Sequence, residues 1–568
     1  MSRKLLCAVS AFVVALTLPA SVGAQSVHLI PWTGLPGELE ATIKADTLAD
    51  GSQAHDIYEL EKGRVYLQVE GIDIVNSGFT LRGQAFDANN PADIPATVQP
   101  LPGPDGVSRF NPNWSANFWI LSSGANLRLE NINFNGAYAD QSAVLAGVVV
   151  AFNTNQTVEM ENSYVSMYSV IALTTWQNGG TTRVNNSVFY ANPAFPGGMF
   201  FNGVIGGGGS WMGTFNAMSL TNSTVANYFG NTVLAYESFG ATAADGVIDH
   251  VSFVNNVLPP LYCGGSNNVT VSNSLFYNTS IYPQELTDLG QTLWRGRDKG
   301  VGIMDICMQA DPTGGSREGK YDHLNRHIVF HNNAWVVDEQ VQTYWQSVDA
   351  PLPLSQTNLW VSDSSRAVMD LDATIQEHDN VHTTATLKLQ SEYLTRMIHR
   401  TEDYRDNQAF DYPDYATYFW QYEHDGDATT TEWPMHEDLR YSVGSPAATA
   451  STTGGPVGDP RWIPYLNVGS ETEELPSQVA LDQNYPNPFN PSTEIAFTLS
   501  QAGSVTLTVY NLLGQKVRTL VDANLSGGAH RYTWNGRDDS GQGVSSGVYL
   551  YTLNAGGRSM TKKMSLIK

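Results

Sequence analysis

The chain has 568 residues, of which 42% are hydrophobic, and 55 acidic against 30 basic side chains give a formal charge of −25. A surface this acidic repels nucleic acid and anionic lipid, which argues against function through phosphate contacts. It also repels polyuronic acids unless a cation bridges them, and solubility in a salty or calcium-bearing medium is its simplest use.

At the start of the chain, Arg3 and Lys4 precede an apolar run from Leu5 to Leu18, broken only by Ser10 and Thr17. Val22, Gly23 and Ala24 then supply small residues before Gln25. This predicts a secretory signal peptide over residues 1–24, because the run is too short to span a bilayer and a small-residue cleavage site follows it. No other stretch is apolar enough to span, so the mature chain is expected to be soluble. Cys7 leaves with the leader, and Cys263 and Cys307 are the two remaining thiols. In an oxidising compartment they are expected to form one disulfide closing a loop of about 44 residues, with two buried free thiols as the alternative.

From residue 127 onward a short pattern recurs: apolar, any, Asn, usually small, any, apolar. It reads Leu129 to Phe134, Met160 to Val165, Val184 to Phe189, Leu220 to Val225 and Val271 to Phe276. His250 replaces Asn in Ile248 to Phe253, and Phe330 to Trp335 is a looser copy. Successive Asn-equivalent positions lie 31, 24, 36, 28, 23 and 59 residues apart, which suits a coil of fixed circumference carrying loops of variable length. Each unit predicts a short alternating strand, a corner at Asn and a second short strand. Asn tolerates the left-handed conformation of such a corner, and stacked Asn side chains can bond from coil to coil. Propeller blades need four strands in about 40–45 residues, and these units are too short.

On these residues the chain resembles the right-handed parallel β-helix proteins of the pectin-lyase-like superfamily. Leu39 to Lys44 resembles their amphipathic capping helix, and Ile57 to Tyr66 and Gly78 to Gly83 resemble the first strands. The likeness extends over roughly Val27 to Ile463 and sets the body at residues 25–467. The region from Ser391 to Thr401, through Tyr404 to Tyr422, to the closing Pro456 to Trp462 reads as a C-terminal cap over the solenoid's end.

That superfamily commonly hosts lyases and glycosidases, which need a basic residue near the C5 proton or clustered carboxylates. Between Asn131 and Leu293 the coils hold one basic side chain, Arg183, and one histidine, His250. Asp245, Asp249 and His250, with Glu237 upstream, form one weak catalytic candidate, although strand alternation would send Asp249 and His250 to opposite faces. Arg295, Arg297, Asp298, Lys299 and Asp305 form a second, and a structural ion-pair network is the simpler account of them. Tyr404, Asp406, Asp411, Asp414 and Tyr415 could hold Ca²⁺, although their spacing is not diagnostic. Trp176, Trp211 and Tyr190, with Tyr164, Tyr168 and Tyr228, could stack on sugar rings.

Residues 468–480 are short, acidic and contain Pro and Ser, so they read as a linker. Next, Asn484, Pro486, Pro488, Phe489 and Pro491 form a Pro/Asn lead-in, which suits neither a helix nor a central strand. Six alternating segments follow: Glu494 to Leu499, Val505 to Tyr510, Lys516 to Val521, His530 to Trp534, Gly547 to Leu553 and Thr561 to Ile567. About 85 residues of short strands with regular turn signals predict a small immunoglobulin-like β-sandwich. With Gly514, Trp534, Gly547, Tyr549, Lys562 and Lys563, residues 481–568 closely resemble the type A sorting domain of type IX secretion. The resemblance implies a Gram-negative cell and recognition by an outer-membrane translocon. A sorting protease often then removes the tail, and the cargo is attached to the surface. The expectation is an all-β, monomeric, secreted or surface-attached protein that binds extracellular polysaccharide without evident catalytic machinery. A polysaccharide lyase or glycosidase acting on acidic glycans, or a structural adhesin, are the alternatives.

Overall fold

Each copy of the six-residue pattern folds the same way. Asn131, Asn162, Asn186, Asn222, His250, Asn273 and Asn332 all have positive φ, between 44° and 57°. One left-handed residue turns the chain between two short strands, and among non-glycine residues Asn accepts it at low cost. In a computed structural model the chain is described from residue 25 to 566, apart from short loop stretches and residues 103–109, 111–116, 139–144, 193–202, 209–214, 282–303, 306–326, 348–374, 399–437 and 465–479. It divides into two compact units, Met1–Tyr465 and Leu466–Lys568.

The first unit is a parallel β-helix with three faces. The first face stacks Val27–Ile30, Ile57–Leu60, Gly78–Gly83, Asn126–Glu130, Thr157–Glu161 and Gly180–Asn185, followed by later strands through Ile375–His378. The second face runs from Val65–Gln68 to Val381–His382, and an eight-stranded sheet from Ile72–Ile74 to Met304–Asp305 forms the third. The pairings that stack the described coils are parallel, with one register shift between Gly180 and Thr181.

The two apolar positions of the repeat become two columns of the core. Leu81, Leu129, Met160, Val184, Leu220, Ile248, Val271 and Phe330 lie directly over one another. Phe134, Val165, Phe189, Val225, Phe253, Phe276 and Trp335 form the second column. Within it Phe253 and Phe276 stack with centroids 4.8 Å apart. One more coil follows, with Asp379 at the left-handed corner (φ 55°). It puts Glu377 and His382 where the columns had apolar side chains, so the apolar stack ends there.

The small residue after the corner has its own task. Ser163, Ser187 and Ser274 accept hydrogen bonds at Oγ from the preceding coil's backbone N–H of Ile132 (3.3 Å), Ser163 (3.2 Å) and Val251 (3.1 Å). Each of these hydroxyls also donates to the carbonyl two residues back in its own coil, at 2.8–2.9 Å. The corner asparagines bond along the axis: Asn162 donates to Asn131 at 2.8 Å and Asn186 to Asn162 at 3.1 Å. Five residues on, Asn227, Asn255 and Asn278 turn a second buried corner with φ of 51–55°, joined at 3.0 and 3.2 Å.

At the N-terminal end the helix Glu38–Ala45 lays Leu39 and Ile43 over the first coil, as the amphipathic pattern predicts. Glu40 is buried with them. Its Oε1 accepts from the Val69 N–H at 2.7 Å, while Oε2 is buried with no hydrogen-bond partner. Burial pushes its carboxyl above the usual glutamate range, and the Val69 bond offsets only part of that.

The second unit is a two-sheet sandwich. Ala480–Leu481, Thr493–Leu499 and Gly528–Trp534 form one sheet, and Lys516–Leu525, Gly503–Asn511, Gly547–Ala555 and Arg558–Leu566 the other, with antiparallel pairings. All six expected strands are present. Among the described residues no helix is long and apolar enough to cross a membrane.

Two outcomes are expected. Asn162→Ala should destabilise the body by about 2 kcal/mol, from left-handed strain plus a lost rung, and Asn162→Gly by less, since glycine removes the strain alone; denaturant melts of the two variants compare them. A raised folded-state pKa at Glu40 means that its burial costs nothing below the ordinary range and subtracts stability as pH rises through the folded value. Glu40→Gln should therefore raise the thermal midpoint at about pH 8, and the gain should fade toward about pH 4.

Candidate functional site

Of the acidic candidates on the coils, Asp249 belongs to the corner ladder. Asp249 accepts from Ser272 Oγ at 2.6 Å and Asn273 Nδ2 at 2.7 Å, and its other oxygen lies 2.8 Å from His250 Nδ1. Burial alone would raise its carboxyl, but these three bonds outweigh it and hold the group below the usual range. The expectation that Asp249 and His250 point apart is corrected here. Alternation holds only within extended backbone, and the left-handed φ of 53° at His250 breaks it. Asp245 is exposed and accepts from Asn268 at 2.6 Å. Arg183 sits 2.9 Å from Glu159, which also binds Arg128 at 2.9 Å.

The aromatic candidates that are described are buried, Tyr168 and Tyr228 in the core and Tyr164 and Tyr190 in a second cluster on its outer side. Tyr190 is 3% exposed and Tyr164 4%, so neither offers a ring face to a sugar. Tyr168 and Tyr228 are buried and share a hydrogen bond between their hydroxyls. Trp176, Trp211, Glu237, Arg295, Arg297, Asp298, Lys299, Cys263, Cys307 and the tyrosine and aspartate cluster from 404 to 415 lie outside the described residues, as do residues 1–24.

What covers these rings is the closing segment of the body. In its described part, Asp438 to Trp462 runs lengthwise along the solenoid's side, not across its end as a cap would. Asn332 Nδ2 donates to the Ala450 carbonyl at 3.0 Å. Thr452 N–H reaches Asn273 Oδ1 at 2.8 Å, and Gly458 N–H reaches the Asn273 carbonyl at 2.7 Å. Next along, Asp459 N–H donates to Ser252 Oγ at 2.9 Å and Asp459 Oδ2 accepts from Thr224 at 2.7 Å. Finally Trp462 Nε1 donates to Thr224 Oγ1 at 2.7 Å, and Arg461 reaches the Asn186 carbonyl at 2.9 Å, its guanidinium over the Tyr164 ring. Burial raises the Asp459 carboxyl although Arg461 Nη1 lies 3.5 Å away. Helix Glu339–Ser347 covers the same cluster with Val341, Tyr344 and Trp345.

The first coil brings together three residues that no local spacing reveals. His28 lies on the strand Val27–Ile30, Asp46 closes the capping helix, and His55 ends the loop that leads into Ile57–Leu60. Nδ1 of His55 is 2.6 Å and Nδ1 of His28 3.6 Å from Asp46 Oδ2. Tyr58 donates to the same oxygen at 2.5 Å. The hint in the sequence is that His28, two residues before the buried Ile30, shares its face of the first strand.

In the second unit the motif residues are mostly core. Trp534 is fully buried between Phe489 (5.5 Å) and Tyr549 (5.1 Å), and its Nε1 donates to the Arg537 carbonyl at 2.8 Å. Asn484 is buried, donating to Thr493 at 2.9 Å and, through its backbone, to Tyr551 at 2.8 Å. Pro491 O lies 3.1 Å from where a Cβ on Gly536 would stand (φ 64°). Gly547 and the half-buried Lys562 and exposed Lys563 lie on the last two strands; Pro486, Pro488 and Gly514 fall outside the described residues.

The strap has a direct test. A Cβ on Gly458, at φ 90°, would stand 2.6 Å from Ser252 Oγ. Gly458→Ala should weaken docking by roughly 2 kcal/mol, and Trp462→Ala should act in the same direction. Limited proteolysis should then cut between Asp438 and Trp462 faster than in the wild chain.

Residues 485–559 match the family of the FlgD Ig-like domain. No curated protein matches the chain. Among solved structures the chain is similar to dimeric latent PorU from Porphyromonas gingivalis, at 21% identity and a TM-score of 0.14, over 16% of this chain and 9% of that one. It is also similar to PorZ, an essential bacterial surface component of the type-IX secretion system of Porphyromonas gingivalis, at 23% identity and a TM-score of 0.13, over 18% and 13% of the two chains. The chain thus spans a small part of the length of either protein.

Proposed function

We propose that the chain is exported by a type IX secretion system and displayed at the cell surface, with the β-helix as a binding scaffold. The observation that carries this reading is the final unit. Its lead-in and motif residues build an immunoglobulin-like core around Trp534, and its last strand, Arg558–Leu566, is an edge that carries Lys562 and Lys563. From Leu481 onward the chain has 8 basic and 5 acidic residues, while residues 25–480 carry 20 basic and 50 acidic ones. A basic edge strand also resists edge-to-edge aggregation, which is the simpler use of the two lysines.

For the body, binding is favoured over catalysis. Asp249 is taken up by three neighbours and Arg183 by Glu159, which leaves a lyase or glycosidase little to build on in these coils. Extracellular polysaccharide as the ligand now rests on Trp176 and Trp211, since Tyr190 is buried. The adhesin alternative uses the same rigid scaffold without a glycan.

Deleting residues 481–568 should leave a folded body in the periplasm. Cell fractionation with surface proteolysis reads this out, and normal surface delivery of the truncated chain would sink the export reading. Lys562→Glu with Lys563→Glu should lower surface delivery several-fold if the basic edge is read by the translocon, without unfolding the sandwich.

A further inference from the structure

We propose that His28, Asp46 and His55 form a site for a divalent transition metal ion of the zinc type. One ligand atom from each of the three residues lies within 4.8 Å of the other two. A tetrahedral ion with bonds of about 2.0–2.1 Å wants donors about 3.3 Å apart. The two separations from the imidazole nitrogens to Asp46 Oδ2, 3.6 and 2.6 Å, each lie within an ångström of that value. Two imidazoles and one carboxylate suit zinc, copper or nickel, whereas calcium and magnesium call for oxygen ligands throughout.

A second feature points the same way. His28 Nδ1 is buried and has no hydrogen-bond partner, although Asp46 Oδ2 faces it. A buried nitrogen without a partner is costly, and a metal bond removes the cost. The shell beyond the donors is also built. Tyr58 is fully buried, stacks near His28 at 5.7 Å, and holds the Asp46 carboxylate while contacting Gln53 Oε1 at 3.0 Å. Such outer partners orient a ligand and tune its affinity. When the ion binds, His55 Nδ1 exchanges its contact with Asp46 for the metal and carries its proton on Nε2. The side chains of His28, Asp46 and His55 are 30%, 16% and 34% exposed, so water can reach the fourth position.

The ligands come from the first strand, the end of the capping helix and the following loop. An ion there would staple the first coil to its cap, at the end of the solenoid where a strand has only one neighbour. The full mature chain titrated with Co²⁺ should develop the visible bands of four-coordinate cobalt, and Zn²⁺ should abolish them and raise the thermal midpoint. His28→Gln and His55→Ala should each lose the bands while keeping the β-rich circular dichroism spectrum. In the wild chain Zn²⁺ should protect His28 and His55 from diethylpyrocarbonate, a readout that needs no variant to fold. Absent cobalt bands, bands that persist in either variant, or equal labelling with and without zinc would overturn the assignment.

Discussion

The left-handed corner residue is the constraint on which the rest of the body depends. A strand pair can follow the solenoid's circumference only if the chain turns sharply within one residue, and for most side chains that turn costs about 1–2 kcal/mol. Glycine would make the turn freely but would add unfolded-state entropy and no rung. Asparagine turns at lower cost, and its amide reaches the next coil, as Asn162 does to Asn131. The serine after it solves a second problem. At the corner the backbone N–H leaves the sheet ladder, and the hydroxyl one coil further on accepts it, as Ser187 does for Ser163. With the turn held at one place in each coil, the residues two before and three after it fall into two vertical columns of core.

The ends and sides of such a stack pose a different difficulty, because periodicity describes only its interior. At the last described coil Glu377 and His382 occupy the column positions, and His378 stacks on His331 at 5.1 Å, so the core closes on polar side chains. Along the side, Leu275–Thr279 is buried at every position, outward residues included. Helix Glu339–Ser347 and the strap through Trp462 supply that cover. Covering a face lengthwise ties many coils together at once, from Asn332 to Asn186, which a cap at one end cannot do.

What was legible in the sequence follows from how local each feature is. The coil corners were legible because one residue type recurs with fixed neighbours, and the sandwich strands because alternation and turn signals coincide. The second corner at Asn227, Asn255 and Asn278 is legible in the same way, five residues after the first: Phe276 to Ile281 repeats the apolar, any, Asn, small, any, apolar pattern. The corner at Asp379 escaped because its core positions are polar. The burial of Tyr190 and Tyr164 was not legible, since the residues that cover them come from Pro456 to Trp462, hundreds of positions away. The convergence of His28, Asp46 and His55 depends on where a helix ends and a loop returns, and neither is periodic.

Satisfaction of hydrogen bonds separates two of the body's histidine–carboxylate pairs. Both combine a histidine Nδ1 with an aspartate oxygen at under 3 Å, as His250 with Asp249 and His55 with Asp46. At the corner both oxygens of Asp249 are bonded to ladder residues, so the pair is a rung and has no valence left to give. At the first coil a second imidazole nitrogen, that of His28, points at the same carboxylate oxygen without a bond. A buried nitrogen left without a bond beside a carboxylate, and next to a second imidazole on that same oxygen, is an arrangement that a metal ion would satisfy. Composition alone would have ranked the two pairs equally; their hydrogen-bond partners distinguish scaffold from site.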